Sequence, residues 1–216
     1  MPGRGRGVRR KARNPTTAKR QCIDLPEAPE SDENTDIWLC GDSIVHWAGV
    51  QAVKTGKPDL KLDKKVGWYG IRGMSWSSFI HSLQLKIAFQ KPPSIFMIHL
   101  GGNDVSKFSL CRIFNLISKG LNYVASTFPE CVIIWCDILP RLNWGTGQIY
   151  KKADGKRRRI NRFGRQKVLA LPKGDVLSID IDTDTPGFYR LDGVHLSLVG
   201  LEYFLDALKD KLVSRL

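Results

Sequence analysis

Short apolar runs alternate with longer amphipathic stretches from residue 36 to the end of the chain. The runs that indicate buried strands lie at 37–40, 94–100, 131–138 and 175–181, with a weaker one near 60–70. Apolar residues recur at three-and-four spacing over 106–127 and 198–212, and further helices are predicted over 44–56, 76–90 and 157–170. This alternation predicts an α/β fold with a five-stranded parallel sheet covered by helices on both faces.

The first 35 residues have a different pattern, without apolar periodicity. Residues 1–20 hold eight Lys or Arg and no acid, and residues 21–36 hold six acids and no base. Such a segment cannot bury enough apolar surface to offset the entropy cost of ordering. We therefore expect a disordered tail at 1–35, basic and then acidic, followed by one folded domain at 36–216.

Positive charge is concentrated in two places on a chain of net charge +13. Besides residues 1–20, residues 151–167 hold nine Lys or Arg and one Asp. RNA or DNA is a plausible partner for both runs, and a solvated tail with a solvated helix face is the alternative. No stretch reaches the roughly 18 to 20 apolar residues that span a bilayer, and no secretory signal is visible. The expected location is intracellular, cytoplasmic or nuclear.

The cysteine pattern gives no sign of a disulfide framework or a zinc site, because the five cysteines are odd in number and form no CxxC pair. Cys40, Cys131 and Cys136 lie in or beside predicted strands, which favours buried, reduced thiols. No constellation of metal ligands appears elsewhere in the sequence, so we expect neither a metal nor a cofactor.

The loops that follow the strand runs ending at Cys40, Tyr69 and Leu100 are expected to carry functional groups, because such groups gather at the carboxyl ends of parallel strands. Ser43 ends the sequence Gly-Asp-Ser after the first strand and directly precedes a helix, whose N-terminus favours developing negative charge. Asn103 follows the third strand and can donate to an oxyanion. Each also has a structural explanation, because Ser and Asn are common helix caps and turn residues.

A second polar group precedes the helix at 198–212. Asp192 and His195 are three residues apart on a tight turn, so they can converge on one site. The carboxylate can then orient the imidazole, which takes the proton of a serine nucleophile.

In combination these blocks resemble the SGNH (GDSL-type) hydrolase superfamily. The matching segments are IWLCGDSIVHW, GIRGM, IHLGGNDV and DGVHLS. The resemblance implies a flavodoxin-like three-layer sandwich with Ser43 as nucleophile, His195 as base and Asp192 as its partner. It also implies an oxyanion hole formed by the N–H groups of Ser43 and Gly73 and the side chain of Asn103, with Gly70 as an alternative to Gly73. The segment DILPR and the later Asn161 also resemble acetylhydrolases that act on platelet-activating-factor-type lipids.

Two functions from different classes remain open. One is a serine esterase acting on small ester or lipid-like substrates through a covalent acyl-enzyme. The other is a nucleic-acid-binding protein that uses the hydrolase domain as a scaffold, which the clustered Lys and Arg favour. The chain also resembles the esterase found in first-open-reading-frame proteins of LINE retrotransposons, and that resemblance implies nucleic-acid binding as well. Other aromatic residues have expected places: Trp47, Trp68 and Trp76 in an acyl pocket or in the core, and His46, His81 and His99 on apolar faces in structural roles.

Overall fold

A five-stranded parallel sheet forms the centre of the molecule. The structure, a computed structural model, describes residues 35–145 and 149–216. Its strands are β1 (Ile37–Gly41), β2 (Val66–Gly70), β3 (Ile95–His99), β4 (Val132–Cys136) and β5 (Gly174–Leu177). Their spatial order is β2-β1-β3-β4-β5 and every neighbouring pair is parallel. This is the flavodoxin-like strand order.

Five helices in the described ranges cover the two faces of the sheet. They are α1 (Ser43–Lys54), α2 (Trp76–Ile87), α3 (Leu110–Thr127), α4 (Tyr150–Leu169) and α5 (Leu198–Val213). Helices α1 and α5 pack together on one face, and α2, α3 and α4 pack side by side on the other. The predicted α/β three-layer sandwich is confirmed.

Each strand contributes alternate residues to the two cores. In β1, Trp38 packs into the core beneath α2 and α3, whereas Leu39 packs into the core beneath α1 and α5. Because both sides of the sheet are buried, the strands appear in the sequence as continuous apolar runs. In α3 the buried residues form one stripe at three-and-four spacing, as the sequence predicts: Ile113, Ile117, Leu121 and Val124.

Helix α4 begins seven residues before the predicted start at 157. Its first turns are mostly charged and bury only Ala153 and Asp154. The Asp154 carboxylate accepts hydrogen bonds from Arg157 (2.7 Å) and Arg158 (2.8 Å). A hydrophobicity pattern cannot detect a helix face that buries a paired carboxylate. The whole basic run at 151–167 therefore lies on this helix.

Strand β5 is shorter than predicted and ends at Leu177. Ile179 and Ile181 are still buried, in the core beneath α1 and α5, although they lie beyond the strand. The apolar residues in this segment correctly indicate burial, but they do not show whether the buried backbone is a paired strand or a loop.

Other sequence predictions fall partly outside the described residues. Of the predicted tail, only Thr35 is described; it is buried, and its hydroxyl lies 3.1 Å from the hydroxyl of Tyr69. The predicted buried thiols of Cys40, Cys131 and Cys136 are confirmed as buried and free. Within the described ranges, no helix has the length and apolar character required to cross a membrane.

Candidate active site

Three strands end at one level at the carboxyl edge of the sheet. Gly41 of β1 lies in register with Gly70 of β2 and with His99 of β3. The two glycines are needed because a Cβ at Gly41 would lie 2.2 Å from the His99 carbonyl oxygen, and one at Gly70 would lie 2.1 Å from the His46 backbone nitrogen. Bare backbone at both positions lets α1 begin directly against the strand ends.

Ser43 is the first residue of α1 and is 7% exposed. Asp42 caps the helix, since its Oδ1 accepts the Ile44 N–H at 3.0 Å. The side chain of Ser43 thus lies at the N-terminus of a 12-residue helix, where unpaired N–H groups and the helix dipole favour negative charge.

His195 links Ser43 to Asp192. The Nε2 atom of His195 lies 3.0 Å from Ser43 Oγ, and its Nδ1 atom lies 2.7 Å from Asp192 Oδ2. The turn is held by Asp192 Oδ1, which accepts the N–H groups of Val194 (2.8 Å) and His195 (2.9 Å). Gly193 supplies the positive φ of 65° that this turn requires. The fold thus joins three predicted site residues in one continuous hydrogen-bonded chain.

The electrostatics of this turn keep the Asp192 carboxyl ionised. Partial burial acts to raise its pKa, but hydrogen bonds from the His195 ring, the His195 N–H and the Val194 N–H outweigh burial and lower the pKa to about 2. A carboxylate that stays charged at neutral pH can stabilise a protonated imidazole.

Asn103 lies beside the loop that carries Gly73. Its Nδ2 donates to the Met74 carbonyl oxygen at 2.9 Å, and its Oδ1 lies 3.4 Å from both Nη1 and Nη2 of Arg141. An amide nitrogen carries two N–H donors, so these contacts fix the orientation of the amide and leave one donor. Gly73 has a φ of 78° and nothing within 4 Å of where its Cβ would lie, whereas Gly70 lies within β2 against α1.

Arg141 is a residue of the site that sequence reasoning missed. It is 9% exposed and follows β4 by five residues, at the same edge of the sheet. Its guanidinium lies 3.6 Å from Asp42 Oδ2 and stacks over the Trp144 ring at 5.5 Å. Its position soon after the carboxyl end of a predicted strand could have marked Arg141 as a candidate for the site. Its charge gives it no place in the hydrophobic pattern, so that pattern does not show that Arg141 is buried.

Asp104 orders the neighbouring helix and does not contact Ser43. Both of its carboxylate oxygens lie 3.2 Å from the Trp76 N–H at the start of α2. Burial raises its pKa to about 6, against the opposing effect of the Trp76 N–H. Asp42 and Asp104 thus both accept backbone N–H groups at the start of a helix.

The remaining tryptophan and histidine candidates lie either in the core or at the surface. Trp68 and Trp76 are buried, and Trp76 stacks on Trp135, so both belong to the core and not to an acyl pocket. Trp47 is half-buried beside the site. His46 and His99 are buried as predicted, and burial lowers the pKa of His99. The prediction of an apolar environment is wrong for His81, which is exposed on α2.

The fold of this chain is similar to the folds of several solved structures. No protein-family model and no curated protein matches the sequence. A Streptococcus pneumonia protein provisionally described as a platelet activating factor is 21% identical, with a TM-score of 0.68 over 84% of this chain and 86% of that one. A GDSL-like lipase from Bacteroides thetaiotaomicron is 16% identical, with a TM-score of 0.65 over 89% and 93%. A carbohydrate esterase of family 3 from Talaromyces cellulolyticus is 18% identical, with a TM-score of 0.57 over 82% and 96%.

These likenesses cover nearly the whole length of each solved chain, although sequence identity is low. In this chain the four sequence blocks lie at the carboxyl edge of the sheet or lead into it. The narrower resemblance to the esterase of LINE retrotransposons stays a prediction. The described chain has the fold of the SGNH (GDSL-type) hydrolases.

Proposed function

We propose that this chain is a serine esterase that cleaves small ester or lipid-like substrates by acyl transfer. The observation that carries the proposal is the hydrogen-bonded chain from Ser43 Oγ to His195 Nε2 (3.0 Å) and from His195 Nδ1 to Asp192 Oδ2 (2.7 Å). A nucleophile, a base and an orienting carboxylate in this geometry are the parts that acyl transfer requires. The esterase and lipase neighbours in fold support the same class of reaction.

In acylation, His195 Nε2 takes the Ser43 hydroxyl proton while Oγ attacks the carbonyl carbon of the ester. The C–O bond to the alcohol then breaks, and the alcohol leaves with the proton held by His195, so Ser43 carries the acyl group. In deacylation, water attacks the acyl carbon, His195 takes its proton, and that proton returns to Ser43 Oγ as the acid leaves. Asp192 stays ionised and stabilises the imidazolium in both steps.

The negative charge of the tetrahedral intermediate needs donors near Ser43. We assign this role to the N–H of Ser43, the N–H of Gly73 and the Asn103 side-chain N–H that is not bonded to Met74. The choice of Gly73 rests on its open loop position next to Met74, the residue that Asn103 contacts. Donors held before the reaction begins stabilise an oxyanion without reorganisation.

Labelling with a fluorophosphonate probe, together with turnover of nitrophenyl esters, tests the proposal. Ser43→Ala should abolish labelling, and Ser43→Ala and His195→Ala should each lower kcat by at least about 1000-fold. Because both residues serve one step, the double variant should be little worse than either single variant. Ser126→Ala, at an exposed serine of α3, is the matched control and should retain labelling and turnover. Retention of both by Ser43→Ala would contradict the proposal.

A second candidate, nucleic-acid binding, is favoured by the outer face of α4. Six of its cations are exposed to solvent: Lys151, Lys152, Arg158, Arg159, Arg162 and Lys167. Within the described ranges, neither Arg159 nor Arg162 forms an ion pair with a carboxylate. Together with residues 1–20, this face could contact a phosphate backbone without reading sequence.

Filter binding of RNA and DNA at several salt concentrations tests this second candidate. The measured quantity is the slope of the logarithm of the binding constant against the logarithm of the salt concentration. In Arg159→Gln/Arg162→Gln the magnitude of this slope should fall by about 0.7 to 0.9 for each phosphate that the two arginines bind in the parent chain. The matched control is Lys61→Gln/Lys64→Gln, which removes two exposed charges next to β2 and should leave the slope unchanged. Equal slopes for the two double variants would show that α4 does not bind the backbone.

A further inference from the structure

Trp47 marks a surface directly beside Ser43. The two residues are four apart on α1, so their side chains lie on one face of the helix, one turn or about 5.4 Å apart. Ser43 is buried, whereas Trp47 is half-buried and reaches the surface. When the carbonyl carbon of a substrate lies at Ser43 Oγ, any part of the substrate that extends along α1 towards the surface therefore contacts the Trp47 indole.

Two guanidinium groups converge on the Trp47 ring from separate loops. The Arg72 group lies 5.8 Å from the ring centre and the Arg190 group lies 4.6 Å from it. Arg72 precedes Gly73 in the loop after β2, and Arg190 belongs to the turn that carries Asp192. The loops that supply the proposed catalytic groups thus also supply these two cations.

No carboxylate of the described residues forms an ion pair with either arginine. Arg190 uses its Nε to hold the Leu196 carbonyl oxygen at 3.0 Å, and Arg72 is exposed. The nearest acid in sequence, Asp192, already accepts hydrogen bonds from the His195 ring and from two backbone N–H groups. Two like charges on one indole repel each other, and a bound anion would remove that repulsion.

The surroundings of the pair suit an anion attached to an apolar body. Ile71, which precedes Arg72, is 45% exposed, and Leu191, which follows Arg190, is fully exposed. Apolar side chains so placed beside cations can contact the hydrocarbon part of a ligand while the guanidinium groups bind its charge.

We propose that Arg72, Arg190 and Trp47 form an anion-binding subsite, so that the preferred substrates are esters that carry a carboxylate or phosphate group. This inference rests on the proposed esterase function and specifies its substrate class. The anion would lie about one helical turn from the scissile ester, on the acyl side or on the alcohol side. Guanidinium forks match the planar geometry of carboxylate and phosphate oxygens.

The test compares kcat/KM for matched neutral and anionic esters on the full chain at low salt. One pair is 4-nitrophenyl butyrate and 4-nitrophenyl hemisuccinate, with the anion on the acyl side; the other is phenyl acetate and 4-acetoxybenzoate, with the anion on the alcohol side. Each value is divided by the hydroxide-catalysed rate of the same ester. Two partly exposed cations predict an anionic preference of about fivefold in one pair, falling towards onefold at 1 M salt.

Arg72→Gln should lower the anionic-to-neutral ratio to about twofold or less, because it removes one of the two charges. Arg112→Gln is the matched control: Arg112 also stacks on an aromatic ring, that of Phe108 at 4.2 Å, but it lies on α3, and its removal should leave the ratio unchanged. 4-Acetoxyphenyl phosphate, compared with phenyl acetate, gives the phosphate arm of the same comparison.

A ratio near onefold in both pairs, with neutral esters still hydrolysed in a Ser43-dependent manner, would overturn the subsite and leave the esterase function standing. Equal ratios for Arg72→Gln and Arg112→Gln would also overturn it. If the chain hydrolyses none of these esters, both the subsite and the esterase function are overturned.

Discussion

Replacing Arg141 by lysine should lower turnover by acting through Asn103. The guanidinium contacts Asn103 Oδ1 with two nitrogens at 3.4 Å each and pairs with Asp42 Oδ2 at 3.6 Å. Lysine keeps the positive charge next to Asp42, but a single ammonium cannot reproduce the forked contact with the amide oxygen. The Asn103 amide would then turn more freely, and its remaining N–H would spend less time in the orientation that the proposed oxyanion hole requires.

The size of the effect follows from these contacts. Both N···O distances are longer than the usual range of about 2.7 to 3.2 Å, so each bond is on the weak side of a charged hydrogen bond. Together they correspond to about 1 to 2 kcal/mol, or a roughly 5- to 30-fold lower kcat with little change in KM. Asn103→Ala removes the donor itself and should cost about 100- to 1000-fold, so the Arg141→Lys effect must be the smaller one.

A double-mutant cycle decides whether Arg141 acts through Asn103. We would measure kcat and KM for nitrophenyl acetate hydrolysis by the parent chain, Arg141→Lys, Asn103→Ala and the double variant. If Arg141 only positions the amide, lysine at 141 should cost nothing further once Asn103 is alanine. If Arg141→Lys lowers kcat as much in the Asn103→Ala background as in the parent chain, Arg141 does not act through Asn103, and its charge acts on the reaction directly.

Stability measurements separate positioning from unfolding. The paired side chains of Arg141 and Asp42 are 11% and 2% exposed, so Arg141→Gln would leave a buried carboxylate without its cation. Such a change costs about 3 to 5 kcal/mol of unfolding free energy, whereas Arg141→Lys should cost less. Denaturant unfolding of both variants therefore provides the control for the kinetic cycle.

Two further predictions concern stability. Asp104 has a pKa of about 6 in the folded chain against 3.8 as its ordinary value, so its contribution is fully present below about pH 4 and is lost as the pH rises through 6. Relative to Asp104→Asn, the parent chain should lose up to about 3 kcal/mol of unfolding free energy between about pH 4 and pH 7, and a constant difference would contradict this. Gly70→Ala should cost about 3 kcal/mol, because its Cβ would lie 2.1 Å from the His46 nitrogen, whereas Gly73→Ala should cost about 1 to 2 kcal/mol, because only its φ of 78° is strained. Denaturant titration of the two glycine variants side by side checks the contrast, and an equal decrease would show that α1 can move away from β2.

The sequence predicts the helices and strands whose buried residues are apolar. It does not predict those segments in which the buried residues are polar or charged. Strands such as β1 and β3 were predictable because both of their faces are apolar, and helix α3 because its buried stripe is regular. The start of α4 was not, because Asp154 and its arginine partners replace apolar burial there. Ser43, Asp192 and His195 could be nominated from turns and caps, but their contact depends on strand order, which the resemblance supplied.

The role of Arg141 and the pairing around Trp47 illustrate the same limit. Arg141 is an ordinary charged residue in the sequence, and only the fold places it between Asp42 and Asn103. Arg72 and Arg190 are 118 residues apart in numbering, so no sequence window contains both. Contacts between loops of different strands are set by the topology of the sheet and not by periodicity.

The packing of α1 against α5 has a consequence for how the chain matures. Ser43 begins the first of these helices and His195 lies three residues before the second, 152 positions later. During synthesis the sheet from β1 to β4 can pair before α5 exists, and such a nascent chain holds the proposed nucleophile without its proposed base. It would also expose the apolar side of α1, which α5 covers in the folded chain. The proposed ester hydrolysis would thus begin only when α5 docks, which is the last long-range contact to form, so the onset of turnover would report the completion of folding.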